Sequence, residues 1–156
     1  MRPGGQRYKG KTFERKIARV IRARWPKALV RRASQAERAH NPDVFVEGGP
    51  RILQRLWLEL QDSANPTPSA ELEQARRDID ADPRPVEVGC YRIPVAITHR
   101  LGSRQILVTM NVGDMMNIID LDGHHFEIGE VTMQLEQFIG FVARKAQADD
   151  TRRAGE

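Results

Sequence analysis

The chain has 156 residues, of which 40% are hydrophobic and 29% charged, and its formal net charge is +4. This length favours one domain, and the composition is typical of a globular protein rather than a disordered or fibrous one. No apolar run approaches the roughly 18 residues of a membrane-spanning helix, so we expect no membrane partner and a cytoplasmic location. The single cysteine, Cys90, excludes an internal disulfide framework and a multi-cysteine zinc site.

The modest net charge is the sum of two opposed segments. Residues 1–38 hold 13 Lys and Arg against two acids, a balance of +11, whereas residues 39–156 have a balance of −7. A basic segment on an acidic body indicates a polyanionic partner, with nucleic acid as the first choice and a membrane surface as the second. A solvated helix face is the alternative explanation of such a charge run.

The first half of the chain is predicted to contain one helix and three strands. Residues 1–11 are predicted to form a flexible basic arm, because three glycines and a proline interrupt them. Thr12 then caps a helix that ends near Trp25, directly before Pro26. Apolar runs bounded by turn residues predict strands over 28–32, 43–46 and 52–60.

The second half is predicted to contain helices over 70–81, near 114–121 and over 129–148, with strands over 92–98 and 105–110. Ser69 is the expected cap of the first of these helices. We predict a disordered tail over 149–156, and therefore one domain over 12–148. The order of elements implies an α/β (α+β) fold in which helices flank a central mixed β-sheet.

Three carboxylates stand out by their positions. Asp43 starts a predicted strand, Glu59 lies near the end of the next strand, and Glu14 is the only acid of the basic first helix. If the two strands are neighbours, Asp43 and Glu59 come together, and a divalent cation relieves their repulsion. Mg²⁺ prefers such hard oxygen ligands. Residues two apart on a strand share a face, so Gln61 is expected to reach the same pocket as Glu59.

These segments resemble the PD-(D/E)xK nuclease motif, with Pro42-Asp43 and Glu59-Leu60-Gln61 in the order of its acidic residues. Gly10-Lys11-Thr12-Phe13-Glu14-Arg15 resembles the first-helix glutamate of archaeal and phage-type Holliday junction resolvases. Arg31-Arg32-Ala33-Ser34 is similar to their basic strand and the loop that bears a serine. The resemblance covers about residues 7–110.

The resemblance implies a restriction-endonuclease-like fold and an endodeoxyribonuclease that depends on Mg²⁺ or Mn²⁺. Such an enzyme works as a homodimer that nicks paired strands of four-way DNA junctions, in a prokaryotic cell or a phage-infected host. Another PD-(D/E)xK repair or restriction-type nuclease is the alternative within the same superfamily. A catalytically silent module that binds DNA junctions is the alternative from a different class.

The resemblance also implies roles for single residues. Asp43, Glu59 and the backbone carbonyl of Leu60 would ligate the metal, and Glu14 would complete or orient its water shell. Ser34 would lie in the loop that approaches the scissile strand. Basic residues of the first segment would hold DNA phosphates, namely Arg7, Lys9, Lys11, Arg15, Arg31 and Arg32.

Gln61 departs from the motif, which usually has lysine at this position. Glutamine can hydrogen-bond a water or a phosphate oxygen but contributes no charge. A natural active variant, a weakened nuclease and a substitution made to trap a complex are all compatible with the sequence.

Structural explanations also exist for these residues taken singly. Asp43 follows Asn41-Pro42, which is a common turn signal. Glu14 has Lys11, Arg15 and Arg19 within reach on its own helix as ion-pair partners. Gln74 is a further candidate, because its helix can direct it toward the edge of the sheet that carries the acids.

Overall fold

The computed structural model describes residues 5–34, 41–84, 91–118 and 129–155, and the side chains of these ranges from residue 10 onwards, Asn117 excepted. The helices are α1 (Gly5–Arg24), α2 (Arg51–Gln54), α3 (Pro68–Ala81), α4 (Val112–Ile118) and α5 (Leu135–Ala154). The strands are β1 (Leu29–Arg32), β2 (Val44–Glu47), β3 (Leu56–Ser63), β4 (Ile93–Arg100), β5 (Ile106–Asn111) and β6 (Glu130–Gln134).

The strands form one six-stranded sheet whose spatial order follows the chain, from β1 to β6. β1, β2 and β3 are an antiparallel meander, and α3 then carries the chain across to β4, which runs parallel to β3. β5 and β6 continue antiparallel. The predicted class, a mixed α/β sheet flanked by helices, is confirmed. No helix of the described ranges is both long and apolar enough to cross a bilayer.

The two faces of the sheet have different contents, because strand side chains alternate between faces. One face carries Val44, Leu58 and Val95, which belong to the large apolar core together with buried residues of α1 and α5. The other face carries Trp57 and Glu59, and α3 packs on this side against β3 and β4. The apolar core therefore lies under α1 and α5, and Glu59 lies on the side of α3.

The predicted arm and tail were wrong in their secondary structure. α1 begins at Gly5, so residues 5–11 are helical, and α5 continues to Ala154 through most of the predicted tail. A glycine in a helix costs only about 1 kcal/mol, and neighbouring Lys, Arg and Gln favour the helix. In the tail, an ion pair between Lys145 and Asp149 (2.7 Å) supports the additional turns. Residues 1–4 lie outside the described part of the chain.

The prediction also missed two short elements. Residues 52–54 were predicted as strand but form α2, where Ile52 and Leu53 are buried, because a short apolar run fits a strand and a buried helical turn equally well. Residues 130–134 were predicted as helix but form β6, in which half-buried Val131 and Met133 alternate with exposed residues. The apolar stripe of α5 directly after it obscured this two-residue period.

Smaller boundary errors concern α3 and α4. The N-cap of α3 is Thr67 with Pro68 in the first turn, instead of the predicted Ser69. A proline fits the first turn of a helix because its missing N–H has no intrahelical partner there. α4 runs from Val112 to Ile118, and the predicted continuation over 119–121 lies outside the described residues.

The turn after β2 determines how the meander reaches β3. Gly48 and Gly49 both have left-handed backbone conformations, with φ of +69° and +70°. A Cβ atom at Gly49 would lie 2.9 Å from the Cβ of Ala28, whereas one at Gly48 would meet no heavy atom closer than 3.7 Å. Glycine is therefore needed at both positions for its backbone freedom, and at Gly49 also for space.

We expect Gly48→Ala to lower the free energy of unfolding by about 1–2 kcal/mol, the cost of a left-handed non-glycine residue. Gly49→Ala should lower it by about 1–3 kcal/mol more, because the contact with Ala28 adds steric overlap. Urea denaturation of both variants measures the difference. Equal losses for the two variants would contradict the close approach to Ala28.

Candidate metal centre

The carboxylates of Asp43 and Glu59 lie side by side at one end of the meander. Val44 pairs with Leu58, which makes Asp43 and Glu59 the next residues on adjacent strands. The backbone N–H of Asp43 donates to the carbonyl of Leu58 (3.0 Å), and the N–H of Leu60 donates to Oδ2 of Asp43 (2.9 Å). The expectation that these two strands are neighbours is confirmed. The role of the two acids as ligands stays a prediction.

Glu59 is buried in an acidic environment. Its side chain is on the sheet face covered by α3, the residue is only 7% exposed, and Oε1 accepts a hydrogen bond from the indole Nε1 of Trp57 (2.8 Å). Burial and the neighbouring Asp43 carboxylate, with smaller contributions from Asp78 and Glu71, raise the pKa of Glu59 to about 9, although the Trp57 bond opposes the rise. Glu59 is therefore protonated at neutral pH unless a cation takes the place of the proton.

α3 adds two acids that the sequence analysis did not identify. Glu71 and Asp78 lie on the helix face that carries buried Leu72 and Ala75, and both carboxylates act on Glu59. Burial and the charge of Asp43 also raise the pKa of Glu71. The signal in the sequence is the spacing of positions 71, 75 and 78, which places them on one side of a helix that follows β3.

Gln74 lies beside this group, as its helical position suggested. Its Nε2 donates to Oδ2 of Asp78 (2.8 Å), and its Oε1 accepts from Arg77 (2.8 Å). Gln74 thus bridges a buried carboxylate and an exposed guanidinium. This arrangement holds the Asp78 side chain in place next to the acids of the sheet.

Glu14 is buried and lies on the other side of the sheet. Its Oε2 accepts a hydrogen bond from Nε of Arg32 at 2.7 Å, in an ion pair that links α1 to β1. Arg32 shares its strand face with Val30, a member of the apolar core under α1. Glu14 therefore has a partner on β1, and Arg32, predicted to hold phosphates, neutralises a buried acid.

Gln61 is bonded to the start of α3. Its Oε1 accepts from the backbone N–H of Thr67 (2.6 Å), and its Nε2 donates to Oγ1 of Thr67 (3.4 Å). The strand alternation places Gln61 on the same face as Glu59, as predicted. Both ends of its amide are engaged with the N-cap residue of α3, so the glutamine connects β3 to the helix that carries the additional acids.

Leu60 and Ser34 complete the predicted site residues around Asp43. Since the N–H and C=O of a strand residue point to the same edge, the carbonyl of Leu60 points to the side where its N–H binds Asp43. Ser34 is exposed and follows Ala33, whose N–H donates to the carbonyl of Asp43 (2.9 Å). Ser34 is thus one residue from a backbone bond to the candidate ligand.

Two arginines stack on the sheet face that carries Glu59, beyond the cover of α3. The guanidinium of Arg31 lies 4.4 Å from the ring centroid of Phe45, and that of Arg84 lies 5.4 Å from the same ring. Arg31 also approaches Glu47 at 3.8 Å. We call Arg31, Arg84 and Phe45 the arginine layer. Arg84 was not predicted, because only the folded chain brings it to β2.

Asp82 orients Arg84 of the arginine layer. Its side chain is 2% exposed, Oδ1 accepts from Nε of Arg84 (2.8 Å), and Oδ2 is ion-paired with Arg92 (3.1 Å). Burial favours the neutral acid, but the hydrogen bonds from Arg84 and the charges of both arginines outweigh it and lower the pKa of Asp82. Arg92 in turn lies over the ring of Trp57 (5.5 Å), the residue that binds Glu59.

The other predicted DNA-binding residues lie on α1. Arg15 is exposed and Lys11 is half-buried. Arg7 and Lys9 belong to the helix by their backbone, and their side chains lie outside the described part of the structure. Their contact with DNA stays a prediction.

The donor set fits a hard divalent cation of the Mg²⁺ type. Asp43 and Glu59 supply carboxylate oxygens from adjacent strands, and their mutual repulsion is what a cation would relieve. In the described ranges, no group of three or more His, Cys, Asp or Glu side chains is arranged to hold a metal by itself. Mg²⁺ does not need such a group, since water and phosphate oxygens complete its shell.

Comparisons with known proteins add no family: no family model and no curated protein matches the chain. The resemblance to PD-(D/E)xK nucleases therefore depends on the motif residues themselves. In the structure, Asp43 lies next to Glu59, Gln61 lies on the same strand face as Glu59, and Glu14 lies on the other side of the sheet.

The pKa of Glu59 predicts a pH dependence of stability. Because the pKa of about 9 in the folded chain lies above the ordinary value of 4.5, the protonated side chain favours folding below pH 4.5. This contribution is lost as pH rises toward 9, by about 1.4 kcal/mol per pH unit. Glu59→Gln keeps an acceptor for Trp57 and removes the proton.

We therefore expect the stability difference between Glu59→Gln and the wild type to grow in favour of the variant from about pH 5 to pH 8. Urea denaturation in a metal-free buffer series measures it. Glu73→Gln, a change at an exposed acid of the same helix α3, is the matched control and should give a constant difference. Parallel profiles for Glu59→Gln and the wild type would show that Glu59 is ionised.

Proposed function

We propose that the protein is a divalent-metal-dependent DNA endonuclease whose metal is held by Asp43 and Glu59. The observation that carries this proposal is the placement of two acids on adjacent strands, where burial first and the charge of Asp43 second raise the pKa of Glu59. A purely structural acid would have a cationic partner, as Glu14 and Asp82 do. Glu59 has acidic neighbours instead, which is typical of a functional site at which a cation binds.

The roles of the residues follow from their contacts. Asp43, Glu59 and the carbonyl of Leu60 would hold Mg²⁺ or Mn²⁺, which when bound activates a water and stabilises the charge on the phosphodiester. Trp57 fixes the orientation of the Glu59 carboxyl through its indole N–H. Asp43 is held by the N–H of Leu60, so both carboxyl groups are positioned before substrate arrives.

The substrate surface that this arrangement supports is the face of β1 and β2 beside Asp43. The arginine layer of Arg31, Arg84 and Phe45 lies there, and arginine binds phosphate oxygens through two parallel N–H groups. Stacking on Phe45 fixes the two guanidinium groups in advance. A nucleic-acid strand held here by its phosphates would pass next to the carboxylate pair.

Four-way DNA junctions are the substrate that the motif residues favour. Recognition would follow DNA shape, since the sequence has no recognition-helix or zinc-finger pattern. A symmetric homodimer would present two carboxylate pairs, one for each of the two strands that are cut. A linear duplex as the preferred substrate would indicate the restriction or repair class instead.

We expect the protein to nick an end-labelled four-way junction in Mg²⁺ or Mn²⁺, and not in EDTA. Asp43→Asn should reduce the rate by at least about 100-fold, since loss of a direct ligand exceeds the 10–100-fold cost typical of an outer-shell partner. Denaturing electrophoresis of the labelled strands measures the rate. Glu73→Gln is the control variant and should cut like the wild type.

Equal cutting by Asp43→Asn would show that this residue does not hold the metal. Cutting in EDTA would show that the reaction needs no metal. A linear duplex of the same sequence in a parallel reaction distinguishes junction resolution from general duplex cleavage. Gel filtration in the same buffer gives the oligomeric state.

A catalytically silent DNA-binding module is the second candidate, and the contacts of Gln61 favour it. Its amide is bonded to Thr67 at both ends, and glutamine lacks the charge of the lysine usual in the motif. Binding of junctions with no nicking in any divalent metal would favour this candidate over the enzyme.

Metal binding can be tested separately from cutting. We expect Mg²⁺ to raise the melting temperature of the wild type, because a ligand that binds the folded chain stabilises it. The rise should be larger at pH 8.5 than at about pH 6.5, because the cation must displace the proton of Glu59. Asp43→Asn should abolish the rise and Glu73→Gln should keep it. A rise that is independent of Asp43 would place the cation elsewhere.

A further inference from the structure

A basic cavity lies at the end of the meander opposite Asp43. Its volume is about 530 Å³, and it lies where the end of α1, the turn after β2 and the last turns of α5 meet. Leu29 pairs with Glu47 at this end of β1 and β2, while Arg32 pairs with Val44 at the end near Asp43. The two ends of this four-residue strand lie roughly 10 Å apart. The lining residues are Arg24, Trp25, Pro26, Lys27, Gly49, Pro50, Arg51, Asp150 and Arg153.

The lining is strongly cationic. Arg24, Lys27, Arg51 and Arg153 face a single lining acid, Asp150. Two of these cations belong to the basic segment 1–38, and the other two come from the part of the chain that is acidic on balance. Folding therefore gathers four like charges around one concave surface, where their repulsion favours an anion.

The cavity also has an aromatic and apolar side. Trp25 is half-buried and packs against the apolar core, so one part of its indole is fixed while the rest lines the cavity. An aromatic ring in a cationic surface is typical of sites at which a nucleic-acid base stacks and its phosphate is held by arginine and lysine. A volume of about 530 Å³ lies in the usual range for a small-molecule site.

The walls of the cavity are held by backbone bonds. The N–H of Trp25 donates to Ile21 (2.9 Å), and the N–H of Ala28 donates to the carbonyl of Trp25 (3.0 Å), which fixes the turn after α1. On the other wall, Nε2 of Gln54 donates to the carbonyl of Gly49 (3.0 Å). Gly49 approaches Ala28 so closely that the two walls share one packed contact.

We propose that this cavity binds a nucleotide, with the phosphate held by Arg24, Lys27 and Arg153 and the base against Trp25. The nucleotide is either one unit of a DNA strand that crosses the meander or a free mononucleotide. Binding at this cavity needs no metal and no carboxylate pair, so it can be tested independently of the nuclease activity.

The test uses the full chain in EDTA, with two probes. One probe is a short fluorescein-labelled single-stranded DNA, whose bases are free to stack on Trp25, followed by anisotropy, and the other is deoxyadenosine 5′-monophosphate followed by calorimetry. The pocket variant is Arg24→Ala with Lys27→Ala and Arg153→Ala. The matched control is Arg100→Ala with Arg104→Ala and Arg144→Ala, which removes the same charge from exposed positions outside the cavity.

For the single strand, we expect the pocket variant to raise the Kd by at least about 10-fold and to reduce the salt slope by about 0.7, the value for one phosphate contact on a single strand. The control should change the Kd by less than about 3-fold, since exposed charges beyond a Debye length are screened. For the mononucleotide, we expect a binding heat that the pocket variant loses and the control keeps.

A pocket-dependent loss with the single strand identifies a DNA strand as the ligand, and one with the mononucleotide alone identifies a free nucleotide. If the two variants weaken single-strand binding equally and no pocket-dependent heat appears, the proposal is overturned. If the triple variant does not fold, both measurements are repeated with Lys27→Glu, a single change at an exposed residue.

Discussion

The α3 side of the sheet is constrained by one carboxyl group, that of Glu59, inside a buried acidic environment. Coulomb repulsion between carboxylates is strong where water is scarce, so these acids cannot all be ionised without a cation. The hydrogen bond from Trp57 partly compensates the burial of Glu59, and Asp43 accepts a hydrogen bond from the backbone of β3. The crossover helix α3 packs on the sheet face that carries Glu59, and the arginine layer lies on the same face, whereas the ion pair of Glu14 and Arg32 lies on the other face.

The elements that the sequence could predict are those with clear ends. The meander, the crossover and the pairing of Asp43 with Glu59 follow from turn residues and from apolar runs with clear ends. The missed elements are short: α2 and β6 have four and five residues, and their neighbours have stronger patterns. The helical state of residues 5–11 was missed because glycine is a weaker breaker than proline.

The partners of the polar residues were beyond sequence patterns, because they join elements that are distant in the chain. Glu14 pairs with Arg32 on β1, a partner that the three cations within reach on its own helix did not suggest. Gln61 is bonded to Thr67, and Arg84 reaches Phe45 through a turn anchored by Asp82. Helical spacing did contain the signal for Glu71 and Asp78, which share the face of Leu72. Nothing in the sequence gathers Arg24 and Arg153 at one cavity.

The single bridge between Val44 and Leu58 has a consequence for the tolerance of the chain to insertions. A shift of one residue in the register of β2 or β3 would exchange the faces of every side chain on that strand. Glu59 would then point into the apolar core, and Leu58 would take its place beside α3. A residue inserted within β3 would therefore damage stability and chemistry together, whereas a lengthened surface turn would be absorbed.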